Sequence, residues 1–177
     1  GSAGALTHIQ TVNPSAVTSI DLETFAGGGY SYLEFIIRLT VAVDAAVLGV
    51  RFKLNGSYKS SGSYHYQMES RRSGGTADTH VSVTATSIDL TGTGNFGIGA
   101  DTLEDYNGRV ALSFPDGAVK PKRLTHDGQW TGQTGNSVAT TGGGLWVGAD
   151  AANALEGVQF VCSQNMTGTI ECYGRKP

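Results

Sequence analysis

Apolar and polar residues alternate with a period of two along much of the chain, a pattern that predicts β-strands with one buried face. The clearest run is residues 32–41, in which every second residue from Leu33 to Val41 is apolar. A second run, residues 47–54, repeats the pattern and stops at Asn55-Gly56, a pair typical of tight turns. Both runs are therefore expected to lie in a sheet that is covered on one side.

Shorter alternating runs recur every 8 to 15 residues without intervening helical patterns, and only residues 148–156 could form a helical turn. This spacing predicts an all-β fold, an antiparallel two-sheet β-sandwich that is jelly-roll-like and has at most one short helix. The chain is expected to form a single domain, residues 1–177, with residues 1–6 as an extended N-terminal arm. The further strands are predicted at residues 7–12, 17–22, 64–68, 80–85, 87–90, 96–98, 109–114, 122–125, 145–147, 157–162 and 169–173.

Four glycine-rich stretches with weak patterning are predicted to be loops. They are residues 27–29, 57–63, 72–79 and 127–144. The last is longer than most connections in compact domains, and loops of that length are commonly functional. We therefore expect binding residues in residues 127–144.

The charge of the chain argues against a nucleic-acid or membrane partner. Only 15% of the residues are charged, and 12 basic against 15 acidic residues give a net charge of −3. Phosphate binding needs clustered cations, whereas Arg71-Arg72 and the Lys120, Lys122 and Arg123 group are expected to be solvated turns. No apolar run approaches the roughly 20 residues that a spanning helix needs.

No motif for catalysis, metal binding or cofactor binding is present in the sequence. It contains no Walker motif, no Gly-x-Ser-x-Gly elbow and no His-x-His or His-Glu-x-x-His spacing among its four histidines. We therefore predict no enzyme activity, no catalytic residue, no metal and no cofactor. A hydrolase that uses the scattered acids Asp105, Asp116 and Asp127 is a minor hypothesis, and it needs carboxyl groups within roughly 5 to 10 Å.

The two cysteines, Cys162 and Cys172, fall in what the pattern predicts as a final hairpin with residues 163–168 as its turn. Folding that hairpin about its middle would bring the two side chains close together. They are then either buried free thiols, which behave as small hydrophobes, or a cross-strand disulfide.

Aromatic residues in the predicted loops suggest a sugar-binding surface, because an apolar ring can stack on a sugar while polar groups bind its hydroxyls. Trp130 lies near His126 and Asp127 in the long predicted loop, and three tyrosines surround the second loop. The candidate glycan-binding or receptor-binding residues are Trp130, His126, Asp127, Tyr58, Tyr64 and Tyr66. Trp130 could instead pack in the core or against a neighbouring subunit.

Four segments resemble the small β-sandwich virion proteins of tailed bacteriophages, which act as head-fibre, decoration or tail-fibre modules. The segments are AAVLGVRF at 45–52, YHY at 64–66, GRVALSFP at 108–115 and MTGTIECYG at 166–174. The resemblance transfers no catalytic residue. It implies a core-facing Cys172, where the family has an aliphatic residue, and a homotrimer or other symmetric oligomer that contacts other virion proteins.

Two functions are therefore expected. The first is a non-enzymatic virion structural protein, displayed on a phage particle, which contributes to host adhesion through a glycan or to capsid or tail assembly. The second is a carbohydrate-binding module, free or attached to an enzyme. The two functions overlap, because a receptor-binding fibre also binds glycans.

Overall fold

The computed structural model describes residues 4–102, 104–113, 115, 121–132 and 134–177, apart from the side chain of Thr76. The described part of the chain forms twelve β-strands and one 3-10 turn at Gly94–Phe96. Every strand pairing is antiparallel. The predicted all-β antiparallel fold is confirmed.

The strands follow one another in the chain with turns and irregular links between them. They are β1 (Thr7–Val12), β2 (Val17–Leu22), β3 (Tyr32–Val41), β4 (Leu48–Leu54), β5 (Ser57–Tyr58), β6 (Tyr64–Arg72), β7 (Thr76–Ala85), β8 (Ile88–Asp89), β9 (Tyr106–Ser113), β10 (Arg123–Thr131), β11 (Ser137–Trp146) and β12 (Gly157–Arg175).

The long strand β12 joins the two layers of a curled sheet. Its first part, residues 157–162, pairs with β4 on one side, and residues 158–161 pair with β2 on the other. Its second part, residues 166–175, pairs with β3, and residues 170–174 pair with β1. From β3 the sheet continues in the order β9, β10, β11, β6 and β7. One layer therefore runs in space from β1 through the second part of β12, β3, β9, β10, β11 and β6 to β7. It faces a smaller layer built on β4.

The core lies between these layers, and strict alternation of side chains fills it. Along β3 every second residue from Leu33 to Val41 is buried, as the sequence predicted. Aromatic rings join the elements: Phe35 packs against Phe160 at 5.6 Å, and Phe52 of β4 packs against Tyr64 of β6 at 5.8 Å. Burying each such side chain contributes about 1.5 to 3 kcal/mol, so these contacts hold the layers together.

The strand predictions are most accurate near the N-terminus. Strands β1, β2 and β3 begin and end at the predicted residues. Of the predicted N-terminal arm, residues 4–6 are exposed and precede β1, and residues 1–3 lie outside the described part. Two small predictions are wrong, because residues 148–156 form turns without a helix and residues 96–98 belong to the 3-10 turn and an isolated bridge.

The two larger errors concern the second half of the chain. The predicted loop at residues 127–144 is mostly the hairpin of β10 and β11, in which Trp130 pairs with Val138. The predicted final hairpin is the single strand β12, so its two halves do not pair with each other. As a result, Trp130 and the two cysteines lie in different structural elements from those that the sequence predicted.

Candidate functional site

Three of the predicted glycan-binding residues lie in the core, and their prediction as surface contacts is wrong. Trp130 is 3% exposed, His126 4% and Tyr64 0%. Trp130 and His126 occupy alternate positions of β10 that face inward. The Nε1 atom of Trp130 donates a hydrogen bond of 3.1 Å to the carbonyl oxygen of Gly97. None of these rings is open to a ligand at the surface.

Tyr58 and Tyr66 are half-buried, and their hydroxyl groups bind carboxylates of the protein itself. Tyr58 donates to Glu23 at 2.8 Å, and Tyr66 donates to Asp89 at 2.9 Å. Burial, reinforced by these carboxylates, raises the pKa of both phenols. The tyrosines therefore support the fold locally, and they form no shared stacking surface with Trp130.

Asp127 is the one predicted site residue that lies on an open surface. It is an outward residue of β10, and Arg109 of β9 donates to its Oδ1 from Nε at 3.2 Å. The Nη1 atom of Arg109 also lies 3.6 Å from Glu34. The negative charge of Asp127 raises the pKa of Arg109, so this guanidinium stays charged. Asp127 marks the start of a larger polar surface.

Three adjoining hollows lie on the outward face of β9, β10, β11, β6 and β7, and we call them together the outer groove. Their volumes are about 390, 170 and 410 Å³. Five neighbouring strands at about 4.8 Å spacing make the groove roughly 19 Å long. Its outward lining side chains are Asn107, Asp127, Gln129, Ala139, Thr141, Glu69, Arg71, His65, Gln67, Val81, Val83, Arg123, Thr125 and Leu145.

The groove is hollow because the middle strand, β11, carries small outward residues. Ala139 and Thr141 line both the first and the second hollow, and Gly143 lines the third. At Gly143 a Cβ atom would lie 2.7 Å from the backbone oxygen of Leu124, so no larger residue fits there without a shift. Longer side chains on β10 and β6 form the walls.

The groove walls carry planar polar groups suited to hydroxyl-rich ligands. Amides from Asn107, Gln129 and Gln67 can each donate and accept hydrogen bonds. These residues carry no distinctive signal in the sequence, because polar residues at outward strand positions are common. The strict alternation of residues 123–131 could have indicated that they share one face.

Beneath the groove, the inward face of the same strands holds polar atoms without hydrogen-bond partners. Both ring nitrogens of His126 and the hydroxyl of Tyr106 are buried and unpartnered. Burial lowers the pKa of His126 from its ordinary 6.5 to about 4, so the ring is neutral near pH 7. A Cβ atom at Gly142 would lie 2.8 Å from His126 Nε2, so the ring occupies the space that this glycine leaves.

The structure decides between the alternatives for the two cysteines. Cys162 pairs with Leu48 and Cys172 pairs with Phe35, at opposite ends of β12. They lie on the two parts of β12 that pair with different layers of the sheet. Both are buried free thiols, and burial raises their pKa, to about 12 for Cys172.

The scattered acids do not form a close pair in the described residues. Asp105 accepts a hydrogen bond of 2.8 Å from Asn107, whereas Asp127 pairs with Arg109, further along β9 by roughly 13 Å. Asp116 lies outside the described part. Within the described ranges, no cluster of three metal-ligating side chains occurs, and no helix has the length and apolarity to span a membrane.

Comparisons with known proteins do not assign the chain to a family. No family model matches it, and no curated protein is similar to it in sequence. Among solved structures, a marine PL-14 alginate lyase from Aplysia kurodai aligns over 80% of this chain and 70% of its own, with 8% identity and a TM-score of 0.31. Infectious bursal disease virus, Gt strain, aligns over 100% of this chain and 38% of its own, with 14% identity and a TM-score of 0.09.

Proposed function

We propose that the protein is a carbohydrate-binding module and that its outer groove holds an oligosaccharide across the strands. The observation that carries this proposal is a row of three hollows on one face of the sheet, lined by amide, hydroxyl and charged side chains. Such grooves provide many directional hydrogen bonds on a rigid sheet, and rigid sites lose little entropy when a ligand binds. The groove replaces the predicted loop surface around Trp130 as the binding site.

Binding without catalysis is part of the proposal. The two carboxylates in the groove are each held by an arginine, Asp127 by Arg109 at 3.2 Å and Glu69 by Arg71 at 2.6 Å. Glycosidases use two carboxyl groups that act together on one bond, whereas each acid here is engaged by its own arginine. Incubation with the bound oligosaccharide should yield no new reducing or unsaturated ends. New ends would contradict the non-catalytic role.

A glycan array tests the binding proposal, with one variant that fills the groove and one matched control. Thr141→Trp places a large ring in the groove at an exposed position shared by two hollows. Thr18→Trp makes the same change at an exposed position on β2, away from the groove. We expect the wild-type chain and Thr18→Trp to bind the same glycans and Thr141→Trp to lose them. No binding by the wild-type chain contradicts the proposal.

We further propose that this binding serves adhesion on a virion, as the resemblance to phage virion proteins implies. The exposed side chains of Val17 and Val43, outside the groove, offer an apolar surface for contact with other chains. Light scattering on the purified chain tests the expected trimer, and mass spectrometry of particles tests the virion location.

A further inference from the structure

We propose that the ligand of the outer groove is an acidic oligosaccharide, whose carboxylate pairs with the guanidinium of Arg123 in the third hollow. This inference rests on the proposed function and names the class of sugar that the site would take. It follows from how charge is distributed among the three hollows.

The first two hollows are electrically balanced. In the first hollow, the charge of Asp127 is met by Arg109, and in the second, Glu69 is met by Arg71. These arginines already have carboxylate partners from the protein. A ligand there meets amides, hydroxyls and paired charges, which suit neutral sugar units.

The third hollow carries a positive charge with no partner. Arg123 is exposed and makes no hydrogen bond or ion pair with another described residue. Its neighbours in register are Ser113 on β9 and Leu145 on β11, and neither is acidic. No aspartate or glutamate occurs among the described residues that line this hollow, which also include His65.

The chemistry of Arg123 favours a carboxylate over a simple anion. A guanidinium presents parallel N–H donors that match the two oxygens of a carboxylate, and such charge-assisted bonds are about twice as strong as neutral ones.

The opposite wall of the third hollow is apolar. Val81 and Val83 are 63% and 60% exposed and line the same space as Arg123. A uronic acid has a carboxylate at one corner and an apolar C–H face, so it can meet both walls at once. Ligand contact with the valines would also exclude water from the ion pair and strengthen it.

The charge distribution also places the acidic unit at one end of the ligand. Asp127, at the far end of the groove, has a side chain that is 53% exposed and would repel a second anionic group there. The acidic sugar is therefore expected beside Arg123, with the neutral units running toward Asp127 and Asn107.

The test compares two probes that differ in one group: a tetrasaccharide with a single terminal hexuronic acid, and the same molecule with its carboxyl reduced to an alcohol. Titration calorimetry measures each with the wild-type chain, Arg123→Gln and the control Arg38→Gln, an exposed arginine on β3 outside the groove. We expect the wild-type chain and Arg38→Gln to prefer the acidic probe about tenfold. Arg123→Gln should bind both probes equally.

A second variant separates the shape of the guanidinium from its charge. Arg123→Lys keeps the positive charge and loses the paired donors, so it should retain only part of the preference. Equal binding of both probes by the wild-type chain would overturn this inference and leave the proposed function standing. An unchanged preference in Arg123→Gln would assign the acidic site to another residue. Failure to bind either probe or any array glycan would overturn both proposals.

Discussion

The indole of Trp130 donates a hydrogen bond of 3.1 Å to the carbonyl oxygen of Gly97, which ties strand β10 to the segment that follows the 3-10 turn. The ring also packs against Tyr106 at 5.5 Å. The next residue after Gly97, Ile98, bridges both Ala46 and Gly132. Trp130 therefore anchors an irregular segment to the sheet, and its role is structural.

Truncating Trp130 should destabilise the fold without changing the groove. Trp130→Ala should lower the free energy of unfolding by about 3 to 5 kcal/mol, as for other large buried aromatic residues. Trp130→Phe keeps most of the ring and leaves the Gly97 carbonyl unpaired, so it should cost about 1 to 3 kcal/mol. Urea titration followed by tyrosine fluorescence measures both. If Trp130→Phe were fully folded and yet had lost its affinity for the glycan, the purely structural role of Trp130 would be contradicted.

Tyr106 and Gly128 should show a strong energetic coupling. A Cβ atom at Gly128 would lie 2.7 Å from the Tyr106 hydroxyl oxygen, so Gly128→Ala should cost about 1 to 3 kcal/mol through overpacking. Tyr106→Leu removes the hydroxyl and should relieve most of that cost in the double variant. Thermal unfolding of the four chains gives the coupling energy. Strictly additive costs would show that Tyr106 does not occupy this space.

The strands that the sequence predicted best are those whose inward residues are apolar. Along β3 every inward residue is aliphatic or aromatic, so the period of two is visible. On β10 the inward positions include His126 and Gly128, and on β11 they include Thr140 and Gly142, so the same alternation is hidden. Glycine is needed there because neighbouring side chains, such as Tyr106, lie over the backbone.

The error at the C-terminus has a different cause. Residues 163–165 are polar, which resembles a turn, yet they lie where β12 passes between the layers. Ser163 accepts a hydrogen bond of 2.9 Å from the backbone of Val47, and the Asn165 carbonyl accepts one of 2.9 Å from Ala42. The polar groups are satisfied by the link between β3 and β4, a long-range contact that local pattern does not reveal.

The candidate site was largely beyond sequence reasoning. Asp127 was predicted correctly as a surface residue, but the strands that complete the groove around it, β9, β11 and β6, come from distant parts of the chain. The outward residues of β11 at the bottom of the groove are glycine, alanine and threonine, which are also common in loops, so the sequence did not distinguish this strand from a loop. Only the pairing of β10 with β11 shows that Thr141 lies beside Asp127 on the same face of the sheet.

Acid should destabilise the protein through His126. The pKa of His126 falls from 6.5 to about 4 on folding, so only the unfolded chain binds a proton between these values. The free energy of unfolding should therefore fall as pH decreases from 6.5, by up to about 1.4 kcal/mol per unit. Carboxylates with lowered pKa, Glu23 and Asp150, begin to contribute only near their ordinary values of 4.5 and 3.8.

Comparison of variants isolates the contribution of His126. His126→Leu removes two unpartnered nitrogens from the core, so it should be at least as stable as the wild-type chain at pH 7. The free energy of unfolding of this variant should also change less between pH 6.5 and 4.5. His8→Leu, at an exposed position, serves as the control, and its free energy of unfolding should fall with decreasing pH as in the wild-type chain. An unchanged slope in His126→Leu would contradict the burial of a neutral ring.

The two thiols should be unreactive in the folded chain. Cys162 and Cys172 are buried, and their pKa values are raised by burial, so little thiolate is available to attack a reagent. Ellman's reagent should detect neither thiol in the native protein and both in denaturant without reductant. Detection of neither in denaturant would indicate a disulfide and contradict the free thiols of the structure.

An NMR titration of the wild-type chain with a glycan that it binds tests whether the outer groove is the binding surface. The 18.4 kDa chain is small enough for residue-by-residue assignment of its amides. The groove predicts the largest shift changes at outward residues of β10, β11 and β6, including Gln129, Thr141 and Gln67, and small changes on β2 and β4. Changes centred on β2, β4 or the first part of β12, with the groove unaffected, would contradict the proposed binding site.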